Sequence, residues 1–349
     1  MSQRTSLDDL VSLGLAAKGP CPTEGDISNF TLRRRVIQHP RFTLAVREIA
    51  RIHRRGREAG VAEGMLFVAQ TGSGKSTLLN WYSSQFPRCV LAGVTRIPVL
   101  HVDTPEAPTV RVLAETFLQA LGDPAFNKGS TPDKTNRIIR LCQTCQVELI
   151  LVEEFQHFFV GNRVAECLRV SNWLKLLITK TRVPFVLSGL PSSAQVVRIN
   201  PQLRRRFAAP HFMAPFAFGT KTERLEFRGL LKALSAHLPS GSIDLSEPDV
   251  AMRMFFATHG LIDYIIKLLD DAGSRGGTGK GGGITVEDLA GSFSNVIWRG
   301  APEALNPFSK KPKLRLLNRL GEPFDILEDP ALHLGRAPSK AEAPAASDD

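Results

Sequence analysis

The sequence contains few cysteines and almost no tyrosine or tryptophan, and it lacks any long hydrophobic run. Its five cysteines among 349 residues are an odd, sparse set, which argues against a disulfide scaffold and predicts reduced thiols in a cytoplasmic protein. No apolar segment approaches the ~20 residues of a membrane span, so no membrane partner is expected. The opening residues 1–19 place acids within a short apolar stretch and lack the layout of a secretory signal.

Negative charge is scarce relative to positive charge. The 44 lysines and arginines outnumber the 34 acidic residues and give a net charge of +10. The excess is concentrated in three groups, which comprise Arg33 to Arg35, then Arg47, Arg51, Arg54 and Arg55, and finally Lys310, Lys311, Lys313, Arg315 and Arg319. Such clustering favours nucleic acid or another polyanion as a partner, although a solvated surface explains the charge equally well.

Strands alternate with helices over the first half of the chain. Apolar segments predict strands at 65–69, 97–103, 147–155 and 183–189, with helices at 41–59, 75–86, 109–122 and 170–180. This alternation predicts an α/β fold in which a parallel sheet is covered by helices on both faces. We expect four segments: a leader at 1–40, the α/β domain at 41–215, an all-helical region at 216–300 and a partly disordered tail at 301–349.

A glycine-rich loop joins strand 65–69 to the helix that follows it. In a phosphate-binding loop, backbone N–H groups surround the β-phosphate, a lysine approaches the β and γ oxygens, and a Ser/Thr hydroxyl ligates Mg²⁺. The residues expected to bind ATP are Gln70, Thr71, Gly72, Ser73, Gly74, Lys75, Ser76 and Thr77. Ala69 replaces only the outermost glycine of the motif, so the loop should still bind. The second Gly-Lys sequence, at 276–283, has no strand before it and is interpreted as a linker.

Two carboxylates end the apolar strand 147–155. Glu153 and Glu154 occupy the position where P-loop ATPases hold Mg²⁺ and orient the attacking water. We therefore expect Glu153 and Ser76 to hold Mg²⁺ and Glu154 to activate water. Glu153 is one methylene longer than the usual aspartate, a difference expected to weaken or reposition the metal. The alternative is an acidic pair that simply ends a strand.

The order and spacing of these motifs resemble the AAA+ ATPases and, within them, the TniB/TnsC family of transposition regulators, over residues 30–270. The motifs that carry the resemblance are HPRF (39–42), the glycine-rich loop, HVDTPEAPTVRVLAETFLQALGDP (101–124), LVEEFQHF (151–158), VPFVLSGLPSS (183–193) and QLRRRF (202–207). The resemblance implies an AAA+ P-loop NTPase fold, with a parallel five-stranded sheet between helices and a small all-helical lid.

The resemblance also implies catalytic residues. Arg206 corresponds to an arginine finger that reaches the γ-phosphate of the neighbouring subunit, with Arg204 and Arg205 as alternatives, and Ser188 lies in the sensor strand. Gly-Leu follows Ser188 where relatives often have Gly-Thr, and Asp263 stands where many lids carry a sensor arginine. These departures predict slow or assembly-dependent hydrolysis.

The partners implied by the resemblance are DNA and other transposition proteins. Family members are bacterial, form ATP-dependent helical oligomers around double-stranded DNA, and recruit a DDE-type transposase, often with a TniQ-type targeting protein. The same is implied here, with ATP hydrolysis driving disassembly of the homo-oligomer. Thr109, Arg111 and Arg163 are candidates to face DNA, although capping or solvated roles explain them equally well. The tail is predicted to order on the transposase or a targeting protein.

Two other functions remain open from the sequence. One is a scaffold ATPase whose partner is a protein, with incidental positive charge, and the other is a helicase-loader type AAA+ protein. They differ from the leading hypothesis in whether assembly needs duplex DNA and in whether the partner is a helicase. Cys142 and Cys145 have metal-ligand spacing but no second pair, and they are interpreted as buried thiols.

Overall fold

The computed structural model describes residues 30–91, 93–106, 108–159, 164–275 and 280–325. Arg163, most of the predicted leader and the second half of the predicted tail lie outside these residues. The helices are α1 (Pro40–Ala59), α2 (Lys75–Ser84), α3 (Val110–Leu121), α4 (Thr131–Thr144), α5 (Val164–Thr181), α6 (Ser193–Ile199), α7 (Pro201–Arg204), α8 (Lys221–Ser235), α9 (Pro248–Thr258), α10 (Ile262–Ser274) and α11 (Val286–Ser292). The strands are β1 (Gly64–Ala69), β2 (Cys89–Leu91), β3 (Val94–Arg96), β4 (Val99–Asp103), β5 (Leu149–Glu153), β6 (Phe185–Gly189) and β7 (His211–Met213).

Five strands form one parallel sheet in the order β4-β5-β6-β1-β7. Strands β2 and β3 form a separate antiparallel hairpin, which the sequence pattern did not reveal. The four predicted strands are all present; β1 begins one residue earlier than predicted, and the other three are shorter than predicted at one or both ends. The fifth, β7, is only three residues long, and it lies at the edge of the sheet beside β1.

The two faces of the sheet carry alternate residues of each strand. In β1, Leu66 and Val68 pack with α3, α4 and α5, whereas Met65, Phe67 and Ala69 pack with α1 and α2. Because both faces are covered, every residue of β1 is buried. The methyl group of Ala69 therefore fills core space at the strand exit and stays clear of the loop that follows.

The helical region, formed by α8 to α11, recruits side chains from both flanking segments. Phe30 and Leu32 pack into its core from the amino-terminal side, and Phe308, Leu317 and Phe324 pack into it from beyond residue 300. The tail predicted to begin at residue 301 is therefore, through residue 325, a packed part of this region. Four short helices bury too little apolar surface alone, and the added aromatic side chains enlarge the core.

Two segments connect the helical region with the sheet, one before α1 and one after β7, and these segments contact each other. The His39 ring packs edge-on against Phe216 with 5.2 Å between ring centroids, and the Arg41 guanidinium lies 4.5 Å above the same phenyl ring. Arg41 also donates to the carbonyl oxygens of Ala214 and Pro215. Burial, with Arg41 nearby, lowers the pKa of His39 to about 4, so its Nδ1 accepts a hydrogen bond as the cap of α1.

Among the described helices, none has both the length and the apolar composition that crossing a membrane requires.

Candidate nucleotide site

The glycine-rich loop lies between β1 and α2, at the carboxyl edge of the sheet. Gly72 and Gly74 have φ values of 78° and 85°, a left-handed conformation that side chains with a Cβ rarely adopt. Gly74 is the N-cap of α2 and Lys75 opens the helix, so the first N–H groups of α2 remain available to an anion. The loop thus has the backbone conformation that phosphate binding requires.

A cavity of about 450 Å³ opens over this loop. Seven of the eight residues predicted to bind the nucleotide line it: Gln70, Thr71, Gly72, Gly74, Lys75, Ser76 and Thr77. The eighth, Ser73, is buried instead. The segment before α1 and the helical region line the rest of the cavity with apolar side chains, Leu32, Val36, Ile37, Leu230, Leu234, Ile262 and Ile266, and with the polar Arg33, Arg35, His39 and Asp263. One end of the cavity suits phosphates and the other suits a flat base.

Lys75 and Glu154 form an ion pair inside the cavity, with 3.0 Å between Nζ and Oε1. Burial alone would raise the pKa of Glu154, but the Lys75 ammonium group and a hydrogen bond from Gln156 hold this pKa below its usual value. Glu154 also has a φ of 52°, unusual for a residue with a side chain. The site therefore keeps Glu154 ionised, as a base must be.

Glu153 precedes Glu154 in the chain, but its side chain lies in the protein interior and not in the cavity. It is buried, and its Oε1 lies 2.9 Å from Nε2 of His101 on β4. Asp103 is the register partner of Glu153, and the ligand atoms of His101, Asp103 and Glu153 all lie within 4.8 Å of one another. The carboxylates of Glu153 and Asp103 offer the oxygen donors that a hard cation such as Mg²⁺ prefers, and the Ser76 hydroxyl is a further oxygen donor on a residue that lines the cavity.

His101 and Asp103 were not singled out from the sequence. The signal was available, because alternate residues of a strand share a face and parallel strands end at the same edge of a sheet. The run His101-Val102-Asp103 ends the strand that pairs with the acidic strand.

The sensor strand β6 contributes a buried hydroxyl and a backbone donor. Ser188 is fully buried, and its Oγ has no hydrogen-bond partner among the described residues. The next cavity-lining residue along the chain is Leu190, whose N–H donates to Oε1 of Gln156 over 3.1 Å. The other end of the Gln156 amide donates to Oε2 of Glu154. Gln156 was also missed from the sequence.

The arginine box stands on the surface, away from the cavity. The side chain of Asn200 caps α7, while Leu203 is buried in the core and Phe207 packs against it. Between and beside these anchors, the side chains of Arg204, Arg205 and Arg206 are exposed, and none of the three lines the cavity of its own chain.

The contact between the helical region and the loop is made by Asp263. Its N–H donates to the carbonyl oxygen of Gly72 over 3.0 Å, and its carboxylate pairs with Lys267 at 2.7 Å and with Arg33 at 3.7 Å. Three segments of the chain therefore meet at the mouth of the cavity. The acid at this position is neutralised by two cations.

Two of the residues predicted to face DNA, Thr109 and Arg111, do not line the nucleotide cavity. The hydroxyl of Thr109 accepts from the N–H of Val112 and caps α3, and the exposed Arg111 pairs with Glu115 at 3.2 Å. The basic stripe predicted on α1 is partly neutralised, since Arg51 pairs with Glu48 and Glu63 and Arg55 pairs with Glu63. Charge counted from the sequence therefore overstates the field on this helix.

Comparisons with known proteins bear on both fold and family. A sequence model described as "Bacterial TniB protein" matches residues 29–214, just over half of the chain. No curated protein sequence matches.

Solved structures of archaeal proteins are similar in fold. The chain aligns with the ORC2 protein of Aeropyrum pernix, in ADPNP–ADP complexes, at a TM-score of 0.53 and 14% identity over 77% of this chain and 71% of that one. It aligns with the ORC1 protein of the same organism, in complex with DNA, at 0.52 and 14% over 72% and 64%. For Cdc6p from Pyrobaculum aerophilum the values are 0.55 and 14% over 81% and 73%.

The likeness to these AAA+ ATPases shows the fold expected from the sequence: a parallel five-stranded sheet flanked by helices, followed by a helical region. The family match covers the loop, the acidic strand, the sensor strand and the arginine box together. The chain belongs to the bacterial TniB family.

Proposed function

We propose that this protein is an ATP-dependent regulator of transposition, which oligomerises on duplex DNA, marks the target site and recruits a DDE-type transposase. The observation that carries the proposal is the cavity in which the loop, Lys75 and an ionised Glu154 converge, in a chain of the TniB family. A TniQ-type protein is the expected targeting partner, and hydrolysis drives disassembly.

The chain's own residues account for the hydrolytic step. The loop N–H groups and Lys75 hold the β- and γ-phosphates. Glu154 takes a proton from a water molecule as the water oxygen bonds to the γ-phosphorus, and the bond to the bridging oxygen breaks, so that ADP leaves with the electron pair. When bound by Ser76 and Glu153, Mg²⁺ neutralises charge on the phosphates.

Arg206 is proposed to complete the site of the adjacent subunit. Its exposed position, outside the cavity of its own chain, supports a role in trans. An arginine delivered only on assembly couples hydrolysis to the oligomer, because transition-state charge is neutralised only where two subunits meet.

Electron microscopy of the protein with duplex DNA and ATP, ADP or a non-hydrolysable analogue tests this proposal. We expect filaments or rings on DNA with ATP or the analogue, none with ADP, and none with Lys75→Ala. Lys280→Ala is the matched control, since it removes the lysine of the other Gly-Lys sequence. ATP binding without assembly on DNA would instead favour a protein-scaffold ATPase, and DNA-independent binding to a helicase would favour a loader.

A further inference from the structure

Gln156 connects the catalytic carboxylate to the sensor strand. Its Nε2 donates to Oε2 of Glu154, and its Oε1 accepts from the N–H of Leu190 over 3.1 Å. Both partners line the nucleotide cavity, whereas Gln156 itself is buried and does not line it. Because both ends of its amide are hydrogen-bonded, Gln156 bridges Glu154 and Leu190 across the site.

The side chain of Gln156 packs against Gly189, the last residue of the sensor strand. A Cβ on Gly189 would lie 2.4 Å from Oε1 of Gln156 and 2.2 Å from Oγ of Ser193. Real Cβ atoms essentially never approach other atoms this closely, so a side chain at position 189 would displace Gln156 or Ser193. The glycine and the glutamine form one structural unit.

The bridge also accounts for an irregularity of the sensor strand. The residue after Gly189 is Leu190, which has no polar side chain to offer the site. Its backbone N–H faces the cavity region instead and is bound by Gln156. The polar connection that Leu190 cannot make through its side chain is thus made by its backbone, through the Gln156 amide.

We propose that Gln156 is the positioning residue for Glu154, holding its carboxylate against Lys75 and coupling it to the sensor strand. This proposal rests on the hydrolytic function proposed above. The Glu154 side chain is about two-fifths exposed, so its orientation depends on the groups that bind its carboxylate. Lys75 anchors one oxygen and Gln156 the other.

Two variants of Gln156 separate positioning from mere packing. Gln156→Leu removes both hydrogen bonds, while Gln156→Glu keeps an acceptor for Leu190 but replaces the donor to Glu154 with a second carboxylate. The exposed Gln143 offers the matched control, Gln143→Leu. Steady-state ATPase rates with duplex DNA are measured across pH, together with affinity for a fluorescent ATP analogue and thermal unfolding.

We expect both Gln156 variants to bind the analogue within about twofold of wild type but to lose hydrolysis by about 10- to 100-fold in kcat. The acid limb of the pH–rate profile should move to higher pH in both, because Glu154 loses a donor that favours its ionised form. Gln143→Leu should match wild type. Wild-type kcat and an unmoved acid limb in stably folded Gln156→Leu would overturn the proposal.

A second measurement decides the case if the wild type binds ATP without hydrolysing it. The Glu154 carboxyl is titrated by ¹³C NMR, with its resonance assigned through Glu154→Gln. A higher pKa of Glu154 in Gln156→Leu supports the bridge even though the hydrolytic function has failed, and an unchanged pKa rejects it. A lower unfolding temperature of Gln156→Leu with an unchanged pKa of Glu154 would mean that Gln156 only packs.

Discussion

At the scale of single residues, Glu154 combines three constraints that rarely occur together. It has a left-handed backbone, an ammonium group 3.0 Å from one oxygen and an amide on the other. Strained backbone persists only where surrounding contacts hold it, and such positions are concentrated at functional sites. The contacts with Lys75 and Gln156 therefore hold Glu154 in place despite its unfavourable backbone conformation.

Replacing Glu154 with Gln tests its role as the base. The amide keeps the size and the contact with Lys75 but cannot accept the proton, so kcat should fall by about 100-fold or more. ATP affinity should change little, and assemblies on DNA should persist longer because hydrolysis no longer dissolves them. The checks are single-turnover hydrolysis and filament lifetime after dilution. Unchanged turnover would assign the base elsewhere.

The pH dependence of hydrolysis follows from the lowered pKa of Glu154. A carboxyl whose pKa is depressed remains ionised as the solution is acidified, and it is lost as a base only below that depressed value. The Glu154 contribution to kcat/KM, which reports ionisation in the free enzyme, should therefore stay flat from pH 8 to about pH 5 and fall only at lower pH. A pH–rate profile with duplex DNA in excess measures this, and an acid limb above pH 6 that Glu154→Gln abolishes would contradict it.

At the scale of elements, the turn between α9 and α10 fixes the helical region against the sheet. Gly260 has a φ of 68°, and its carbonyl oxygen accepts from the N–H of Phe216 over 3.0 Å. A Cβ there would lie 2.0 Å from the carbonyl oxygen of Phe216, which is backbone and cannot rotate away. One glycine thus places α10, and with it Asp263, over the phosphate loop.

Gly260→Ala should destabilise the protein by about 2 kcal/mol or more, because both the backbone conformation and the close approach are violated. Chemical denaturation measures the free energy of unfolding, and ATP affinity should fall with it as α10 shifts. Gly229→Ala is the matched control, since Gly229 lies exposed within α8 with no atom within 4 Å of an added Cβ. That control should be neutral or stabilising, by up to about 1 kcal/mol.

The elements themselves differ in how far the sequence predicts them. Strands β1, β4, β5 and β6 have apolar runs long enough to see, and α3 has a clear amphipathic period. Strand β7 has three residues and depends on its neighbour β1, so no local pattern marks it. The loop and Glu154 were predictable because their chemistry is local. The role of Gln156 was not, since it depends on a contact with Leu190 of a separate segment, whereas His101 was marked by the strand pattern but was not singled out.

At the scale of the whole molecule, the segment from 301 to 325 belongs to the helical core, and this changes how the tail must be tested. Phe308, Leu317 and Phe324 are all buried there. Removing them exposes apolar surface on α8 to α11. A partner-binding role for the tail is therefore a proposal about residues 326–349 and the exposed side chains of 301–325.

Two truncations separate these contributions. A chain ending at residue 300 should lose on the order of 4–8 kcal/mol of apolar burial, before the entropy of the removed segment is counted, and should unfold at a lower temperature. A chain ending at residue 325 keeps every described contact and should unfold as the full chain does. If the 325 chain still supports full transposition, residues 326–349 do not recruit the transposase.

The charge on the molecule also allows a test of the proposed DNA face. Arg111→Glu should weaken binding to duplex DNA several-fold and reduce the dependence of log Kd on log salt by about one. Arg169→Glu is the control, because Arg169 is likewise exposed and paired with a nearby acid, Glu166, on a different helix. Fluorescence anisotropy over a salt series measures both. Equal effects of the two substitutions would mean that overall charge, and not a contact made by Arg111, determines the affinity for DNA.

The contact between His39 and Phe216 has a mechanical consequence. Both segments that connect the sheet with the helical region meet at this contact. The helical region is therefore attached to the sheet by two adjacent segments and not by one. Two adjacent attachments permit rotation of the helical region about the line that joins them and resist rotation about other axes. Opening and closing of the cavity between the sheet and the helical region should then follow a single rotation.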